Sequence, residues 1–363
     1  MVLPNNLPPG FYQNLLSKMA STSVDAAFQK FITKEIVISQ GYRTEASNSH
    51  NALREFLRGE NQNDRTFPVL LKEKDADFLG GSFGRETKIH PLDDIDIYFP
   101  LDGHTLVYNE SGITVTHKVI SDGKIAFNPL LNPRWQDGQY ISPKKLVAGF
   151  AEVLKRRYPR TEVKPNGASV SLYTTIAAAG DSDGLCYDVV PCISLKHPSG
   201  LEAEFYVMPD GDGGWMRTNP RIDDEIASKL QKDNNETYKK VVRLLKYWNK
   251  KMFTSALASY YIELSVAKRY RLKNLMGHSM SKISEGLTTA FVGLDESVRA
   301  GDITALIDKA PSIKLGDKIT PKHLEYLGSI KTLANSALSY ENTGDSKRAL
   351  DYWKKIFGDT FEI

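Results

Sequence analysis

The sequence is poor in cysteine, which argues against a disulfide framework or a zinc site. Only two cysteines occur among 363 residues, Cys186 and Cys192. They fall in what reads as one strand, where six residues span about 20 Å, so a disulfide between them is excluded. Neither has a neighbouring His or Cys at zinc-ligand spacing. We expect both to be reduced core residues of a cytoplasmic protein.

The sequence also lacks a large net charge and any long apolar run. With 47 Lys and Arg against 44 Asp and Glu, the formal net charge is +3, too small to indicate a nucleic-acid partner by itself. No apolar run approaches the roughly 20 residues that span a bilayer. The N-terminal residues do not show the basic and apolar segments of a secretory signal. We therefore expect no membrane partner and no stable nucleic-acid partner.

What the sequence does contain is a pair of carboxylates in a run of strand-forming residues. Asp94 and Asp96 alternate with Ile95 and Ile97. Successive side chains of a strand point to opposite faces, so both Asp side chains project the same way while the isoleucines face the core. Two such carboxylates repel each other unless cations lie between them. Paired metal ions roughly 3.5–4 Å apart, which clamp the attacking and leaving oxygens of an in-line displacement, would compensate that repulsion.

A small, flexible turn precedes this strand. Gly80, Gly81 and Ser82 lie within the run Leu79–Gly84, which ends ten residues before Asp94. Glycine lets the backbone approach a phosphate closely, and Ser82 adds amide and hydroxyl donors. The spacing therefore predicts a phosphate-binding turn beside the acid pair.

Asp188 is a third candidate acid. It lies in the middle of Leu185–Pro191, which reads as a buried strand. An unpaired carboxylate there would be costly to desolvate, so it needs a cation or hydrogen-bond donors. We interpret Asp188 as a third metal-binding residue. Asn166, on the strand before it, is a candidate to face a nucleobase.

These motifs resemble those of the polymerase-beta-type nucleotidyltransferases: a hydrophobic residue with Gly-Gly-Ser, a short spacer, Asp-hydrophobic-Asp-hydrophobic, and a distant hydrophobic-Asp-hydrophobic. Within that superfamily, the length and the second half of the chain are most similar to the bacterial cGAS/DncV-like nucleotidyltransferases (CD-NTases). These enzymes are relatives of animal cyclic GMP–AMP synthase and of oligoadenylate synthetase. The resemblance covers roughly residues 20–275.

The pattern of the chain predicts an α+β fold with two lobes. Residues 1–215 are expected to form a polymerase-beta-like nucleotidyltransferase lobe with a mixed sheet and a long N-terminal helix at about 24–59, broken near Gly41. Residues 216–363 are predicted to form a helical C-terminal lobe, with the active site in the cleft between the lobes. Further elements are a helix at about 142–158 and strands at about 75–82, 94–101, 161–176, 185–194 and 201–208.

A basic stripe marks one predicted helix of the second half. Four cations recur at spacings that place them on one helix face: Lys239, Arg243, Lys246 and Lys250. On the residues alone, this stripe is a solvated face. The resemblance to the CD-NTases implies that Lys246, in its Leu-Lys-x-Trp context, contacts a triphosphate. It also implies that Ser259 does the same, beside an aromatic residue that stacks on a base; Tyr260 fits this position, and Tyr261 is the competing aromatic.

The resemblance implies a two-metal mechanism. Asp94 and Asp96 would hold both Mg²⁺ ions and Asp188 would complete the site of one, with Mn²⁺ able to substitute. Oxygen ligands shared with phosphates suit these ions better than zinc. A 2′- or 3′-hydroxyl would attack the α-phosphorus of a nucleoside triphosphate and release pyrophosphate. The implied product is a cyclic di- or trinucleotide second messenger of bacterial antiphage (CBASS) signalling, with accessory proteins of such systems as further partners.

Three other classes of protein stay open at this stage. A template-independent RNA-tailing enzyme uses the same acids but is expected to carry a broad basic surface, which the net charge of +3 disfavours. A toxin-type nucleotidyltransferase that modifies protein or tRNA is usually shorter and lacks so large a helical half. A catalytically silent nucleotide-binding scaffold would normally have lost one of the three acids.

Overall fold

The computed structural model describes residues 24–38, 40–71, 77–90, 95–103, 106–109, 118–121, 128–174, 185–196, 202–306 and 312–361. The chain divides into two compact units, and each is described by itself. The sheet unit comprises the described residues of Ile38–Asp224 and Leu306–Pro311. The helical unit comprises those of Met1–Val37, Glu225–Ala305 and Ser312–Ile363.

A mixed sheet of seven strands forms the centre of the sheet unit. Its strands are β1 (Phe78–Leu79), β2 (Ile95–Asp102), β7 (Val163–Asn166), β8 (Ser169–Thr174), β9 (Leu185–Lys196), β10 (Glu202–Pro209) and β11 (Trp215–Thr218). The order is β1-β2-β9-β10-β11, and β8 pairs with both β7 and β9. The β2–β9 pair is parallel, whereas the other described pairs of this sheet are antiparallel.

A smaller four-stranded sheet also belongs to this unit. Its order is β3-β4-β6-β5, with β3 (Leu106–Asn109), β4 (Lys118–Ser121), β5 (Gln136–Asp137) and β6 (Tyr140–Ile141). Helix α4 (Pro143–Arg157) begins directly after β6, where the Ser142 hydroxyl caps it by accepting a hydrogen bond from the Lys145 amide at 3.4 Å.

The two faces of β2 have different surroundings. Alternate apolar side chains along it are fully buried: Ile95, Ile97, Phe99 and Leu101. They share one hydrophobic core with apolar residues of α2 (Gln40–Asn63) and of α4. Strand alternation leaves Asp96 and Tyr98 on the opposite face, where both are half-buried. The predicted inward isoleucines and outward carboxylate are therefore confirmed for the described part of this strand.

The helical unit contains helix α1 (residues 24–31), a π-helical turn at Ile32–Ile36, the part of α5 from Glu225 onward, and the helices after it. These helices are α5 (Pro220–Asp233), α6 (Tyr238–Lys251), α7 (Ser259–Leu275), α8 (Ile283–Ala300), α9 (Pro321–Asn342) and α10 (Ser346–Phe357). Among the described helices, none combines the length and the apolar character that crossing a membrane requires. The predicted α+β fold, with a mixed sheet and a helical second half, is confirmed.

The first described segment has the predicted break but lies in the other unit. A break near Gly41 is predicted for the helix at about 24–59, and the π-turn ends at Ile36 while α2 begins at Gln40. The part before the break belongs to the helical unit and not to the predicted nucleotidyltransferase lobe. Aromatic packing explains why the segment joins the helical unit. The Phe28 ring lies edge-on to Trp353 with centroids 5.2 Å apart, and Phe31 lies edge-on to Tyr247 at 5.2 Å. Burial of these rings against Trp353 and Tyr247 holds the segment in the helical unit.

Candidate active site

Three polar side chains form a row across neighbouring strands of the seven-stranded sheet. In the parallel pairing of β2 with β9, Asp96 lies directly opposite Asp188. In the antiparallel pairing of β8 with β9, Ser171 lies directly opposite the same Asp188. Residues paired in this way project from the same face, on strands about 4.8 Å apart. The structure therefore brings together two of the predicted acids, which are far apart in the sequence.

The glycine turn is fixed directly against this row. The Gly80 amide donates a hydrogen bond to the Asp96 carbonyl oxygen at 2.9 Å. Gly81 has a φ of +59°, and a Cβ atom there would lie 1.7 Å from Oδ2 of Asp96. A Cβ atom on Gly80 would lie 2.3 Å from the ring of Tyr98. Only glycine allows this approach, because any side chain at Gly81 would collide with the carboxylate.

Ser82 follows in the short helix α3 (Gly81–Gly84). The amides at the start of a helix have no partner within it, so the backbone of Gly81 and Ser82 can present donors to an anion. An anion bound here would lie beside the negative charge of Asp96. It would therefore need a cation between itself and that carboxylate, which links the predicted phosphate-binding turn to the predicted metal site.

Tyr98 supports the turn from the same face of β2. Its ring stacks on Phe78 with centroids 5.3 Å apart and nearly parallel planes. Burial raises the pKa of the Tyr98 hydroxyl, and the neighbouring negative charge of Asp96 raises it further. Tyr98 is therefore neutral at physiological pH and acts as an apolar platform beneath Gly80.

Hydroxyl groups satisfy the Asp188 carboxylate from the adjacent strand. Its Oδ1 accepts hydrogen bonds from Ser171 Oγ at 2.7 Å and from Ser169 Oγ at 3.1 Å. Asn166 Nδ2 in turn donates to Ser171 Oγ at 3.0 Å. The Asn166 amide therefore takes part in this network, and its predicted contact with a nucleobase stays a prediction. Sequence reasoning missed both serines, although their alternation in a strand before Asp188 was a usable signal.

The donor set fits a magnesium or manganese site. Asp94 lies outside the described residues, so Asp96 and Asp188 are the acids that can be assessed. Both are half-buried carboxylates on one face of neighbouring strands, and hard oxygen donors are what Mg²⁺ and Mn²⁺ prefer. Within the described residues, no group of three or more His, Cys, Asp and Glu side chains is arranged around one point. A third carboxylate for this pair is therefore the predicted role of Asp94.

The candidate nucleotide-contacting residues of the helical unit lie on α6 and α7. Lys246 is buried (4% exposed), and its Nζ lies 2.5 Å from Oε1 of Glu263. This position of the predicted basic stripe therefore carries its own counter-ion within the protein. Ser259 is the exposed first residue of α7 and stands four residues before Glu263, on the same helix face. Ser259 and Glu263, the partner of Lys246, thus both lie within the first two turns of α7.

The two candidate aromatic residues differ clearly in their surroundings. Tyr261 is fully buried, and its hydroxyl donates to the carbonyl oxygens of Ser297 at 2.8 Å and Gly301 at 2.6 Å. Burial raises the pKa of Tyr261 to about 12. Tyr261 is therefore a core residue and cannot stack on a nucleobase. Tyr260 is half-buried, and the predicted stacking role stays with it.

The sequence is similar to a protein-family model and to curated proteins. The family model described as Second Messenger Oligonucleotide or Dinucleotide Synthetase domain (SMODS) matches residues 22–127. A probable cyclic nucleotide synthase of Bacillus cereus (strain VD146) is 26% identical over 347 residues, covering 93% of this chain and 98% of the relative. The cyclic AMP-AMP-AMP synthase of Acinetobacter sp. (strain ATCC 27244 / 9458) is 22% identical over 355 residues, covering 94% of this chain and 88% of the relative.

Solved structures show the same fold. E. coli MS115-1 CdnC with ATP superposes with a TM-score of 0.59 at 19% identity, covering 93% of this chain and 99% of that one. CdnC in a complex with HORMA-deltaN gives a TM-score of 0.59 at 18% identity, covering 93% of this chain and 98% of that one. The family match and the curated relatives indicate an enzyme of the nucleotidyltransferase class. The family match, the curated relatives and the shared fold support the resemblance to the bacterial cGAS/DncV-like nucleotidyltransferases that the motifs predict.

Proposed function

We propose that this enzyme joins nucleoside triphosphates into a cyclic di- or trinucleotide, with release of pyrophosphate, in a reaction that depends on Mg²⁺ or Mn²⁺. The observation that carries the proposal is the pairing of Asp96 with Asp188, with the Gly81 turn held against Asp96. The names of the two curated relatives, a cyclic nucleotide synthase and a cyclic AMP-AMP-AMP synthase, support the cyclic product.

Each candidate residue has a defined part in this proposal. Asp94, Asp96 and Asp188 would hold the metal ions, which when bound supply charge neutralisation of the triphosphate and a lower pKa for the acceptor hydroxyl. Gly81 and Ser82 would orient phosphate oxygens through backbone amides. The acceptor hydroxyl gives up its proton to solvent water, and its oxygen forms a bond to the α-phosphorus. The bond from that phosphorus to the bridging oxygen breaks, and pyrophosphate leaves.

The helical unit would supply the remaining nucleotide contacts. Lys246 and Ser259 would bind the triphosphate, and the half-buried ring of Tyr260 would stack on a base. Since CdnC has been solved with ATP and with HORMA-deltaN, we include ATP among the substrates and a HORMA-like accessory protein among the partners. A role of the product in antiphage signalling is part of the same proposal.

The product is the first test of the proposed function. The protein is incubated with all four α-labelled nucleoside triphosphates and Mg²⁺ or Mn²⁺, treated with phosphatase and examined by mass spectrometry. We expect a labelled species that resists phosphatase, because a ring has no terminal phosphate. Complete digestion of every labelled species would refute the cyclase and favour RNA tailing. Label found only on added tRNA or protein would identify a modifying enzyme instead.

A second test separates the two possible roles of Lys246. Lys246→Ala alone would remove the cation of a buried ion pair and keep the Glu263 carboxylate, at a cost of about 3–5 kcal/mol of stability. The double variant Lys246→Met, Glu263→Gln removes both charges and is expected to recover most of that loss. We expect it still to bind a non-hydrolysable ATP analogue about 10–100-fold more weakly, because a charge-assisted contact of roughly 1.5–3 kcal/mol is lost.

Glu263→Gln is the matched control for this cycle, since it keeps the cation of Lys246 and replaces the carboxylate of this ion pair with a neutral amide. Its affinity for the analogue, measured by calorimetry, should equal or exceed that of the unchanged protein. Wild-type affinity in the stable double variant would show that Lys246 serves only its ion pair with Glu263 and would remove it from the nucleotide site.

A further inference from the structure

The hydrogen bonds around Asp188 have a fixed direction. Asn166 Nδ2 can only donate, so Ser171 Oγ accepts from it and its own single proton is directed to Oδ1 of Asp188 at 2.7 Å. Ser171 is 1% exposed, so no bulk water competes for that proton. The chain from Asn166 through Ser171 to Asp188 is therefore polarised toward the carboxylate.

Ser169 contributes less to the same carboxylate. Its hydroxyl lies 3.1 Å from Oδ1 of Asp188 and also 3.1 Å from the carbonyl oxygen of Asn166. A hydroxyl group has one proton, so Ser169 divides it between two acceptors. The two serines, two residues apart on β8, thus form a strong and a weak contact to one oxygen, and each can serve as a control for the other.

Both contacts fall on Oδ1, and this restricts how the carboxylate can bind a cation. Within the described part of the chain, Oδ2 of Asp188 accepts no hydrogen bond. An ion at this carboxylate would meet one oxygen with two donors and one that accepts no hydrogen bond from the described residues. The arrangement favours monodentate over bidentate binding.

Monodentate and bidentate carboxylates suit different cations. Mg²⁺ requires near-ideal octahedral geometry, in which the narrow bite of a bidentate carboxylate does not fit, whereas Ca²⁺ accepts bidentate carboxylates and irregular coordination. We propose that Ser171, assisted by Ser169, is a positioning residue that occupies Oδ1 of Asp188 and so selects Mg²⁺ and Mn²⁺ over Ca²⁺. This inference rests on the proposed function, because it assigns Asp188 to a metal site.

The experiment measures metal selectivity without turnover. Binding of Mn²⁺ to the full chain is followed by electron paramagnetic resonance with a non-hydrolysable ATP analogue, and Mg²⁺ and Ca²⁺ are then titrated as competitors. For Ser171→Ala we expect Mn²⁺ and Mg²⁺ to bind about 10–100-fold more weakly, as is typical when a group behind a metal ligand is removed. Ca²⁺ affinity should fall less, so that the ratio of Mg²⁺ to Ca²⁺ affinity drops about tenfold or more.

Three further variants make the result specific. Ser169→Ala should change the ratio less than Ser171→Ala, because its proton is shared. Asn166→Ala removes an exposed side chain and should also lower the ratio without disturbing the buried site, which covers the case in which Ser171→Ala fails to fold. Ser171→Thr retains the hydroxyl and should keep the ratio close to that of the unchanged protein.

The outcomes distinguish this inference from the function on which it rests. If the unchanged protein binds Mn²⁺ and makes its product, yet folded Ser171→Ala and Asn166→Ala both keep the original Mg²⁺ to Ca²⁺ ratio, the positioning role is refuted and the function stands. An equal loss of affinity for Mg²⁺ and Ca²⁺ in Ser171→Ala would also refute the proposed selection of Mg²⁺ over Ca²⁺. If the unchanged protein neither binds Mn²⁺ nor forms product, both proposals fail.

Discussion

Replacing either Asp96 or Asp188 with Asn is expected to reduce product formation by about 10³-fold or more while the chain stays folded. Each change removes one negative oxygen donor from the proposed metal site, and losing several kcal/mol of transition-state stabilisation corresponds to a factor of this size. Asn keeps the shape of the side chain in both variants. In Asp188→Asn, the amide oxygen can still accept hydrogen bonds from the hydroxyls of Ser169 and Ser171. Stability should be unchanged or slightly higher, because two paired carboxylates repel each other in the metal-free protein.

The double variant sharpens this expectation. If Asp96 and Asp188 act as one metal-binding unit, Asp96→Asn, Asp188→Asn should be little worse than either single variant, since residues that act together are strongly non-additive. Asp102→Asn is the matched control: it lies on the same strand and face as Asp96, about 20 Å further along. The measurements are the rate of labelled product formation and the thermal unfolding of the two single variants, the double variant and Asp102→Asn. Activity retained in folded Asp96→Asn, or lost equally in Asp102→Asn, would contradict the assignment.

The parts of the site predicted from sequence are those fixed by local chemistry. A two-residue period placed Asp96 opposite the buried face of β2, and the glycine pair indicated a close backbone approach. The apolar strand around Asp188 marked it as a third candidate acid, but no local rule determines which distant strand pairs with β2. The parallel pairing of β2 with β9, which places Asp96 opposite Asp188, could be read only from the fold.

The contacts of Ser169 and Ser171 with Asp188 were not predicted, because the turn that separates their strand from the one before it was not recognised. Residues 161–176 read as one strand, but the structure has two, Val163–Asn166 and Ser169–Thr174, joined at Gly167 with a φ of +57°. Asn-Gly is a common hairpin signal. Recognising it would have separated the second strand, whose alternation puts Ser169 and Ser171 on one face.

The partner of Lys246 could not be predicted from its own helix. The spacing of the four cations correctly places them along one face of α6, but the pattern contains no information about α7. Glu263 lies seventeen residues later and reaches Lys246 only because the two helices pack together. Similarly, Phe28 and Phe31 gave no sequence signal that their partners lie near the far end of the chain.

Gly81→Ala is expected to lower product formation by about 10²-fold or more, with only a modest loss of stability. The new Cβ atom would lie 1.7 Å from Oδ2 of Asp96, so the carboxylate must move. Displacing a catalytic group by about 1 Å can cost about 10²-fold in rate. The left-handed backbone adds a cost of roughly 1–2 kcal/mol for any residue with a Cβ atom.

Gly138→Ala separates the backbone cost from the effect on Asp96. Gly138 belongs to the same unit and has a nearly equal φ of +62°, but its Cβ atom would meet nothing within 4 Å. The two variants should therefore lower the midpoint of thermal unfolding by similar amounts, whereas only Gly81→Ala should lose activity. A wild-type rate in Gly81→Ala would show that the turn tolerates a side chain and that Asp96 need not hold its position. An equal loss of activity in Gly138→Ala would trace the effect to stability, because the shared feature of the two glycines is their backbone and not their contact with the acid.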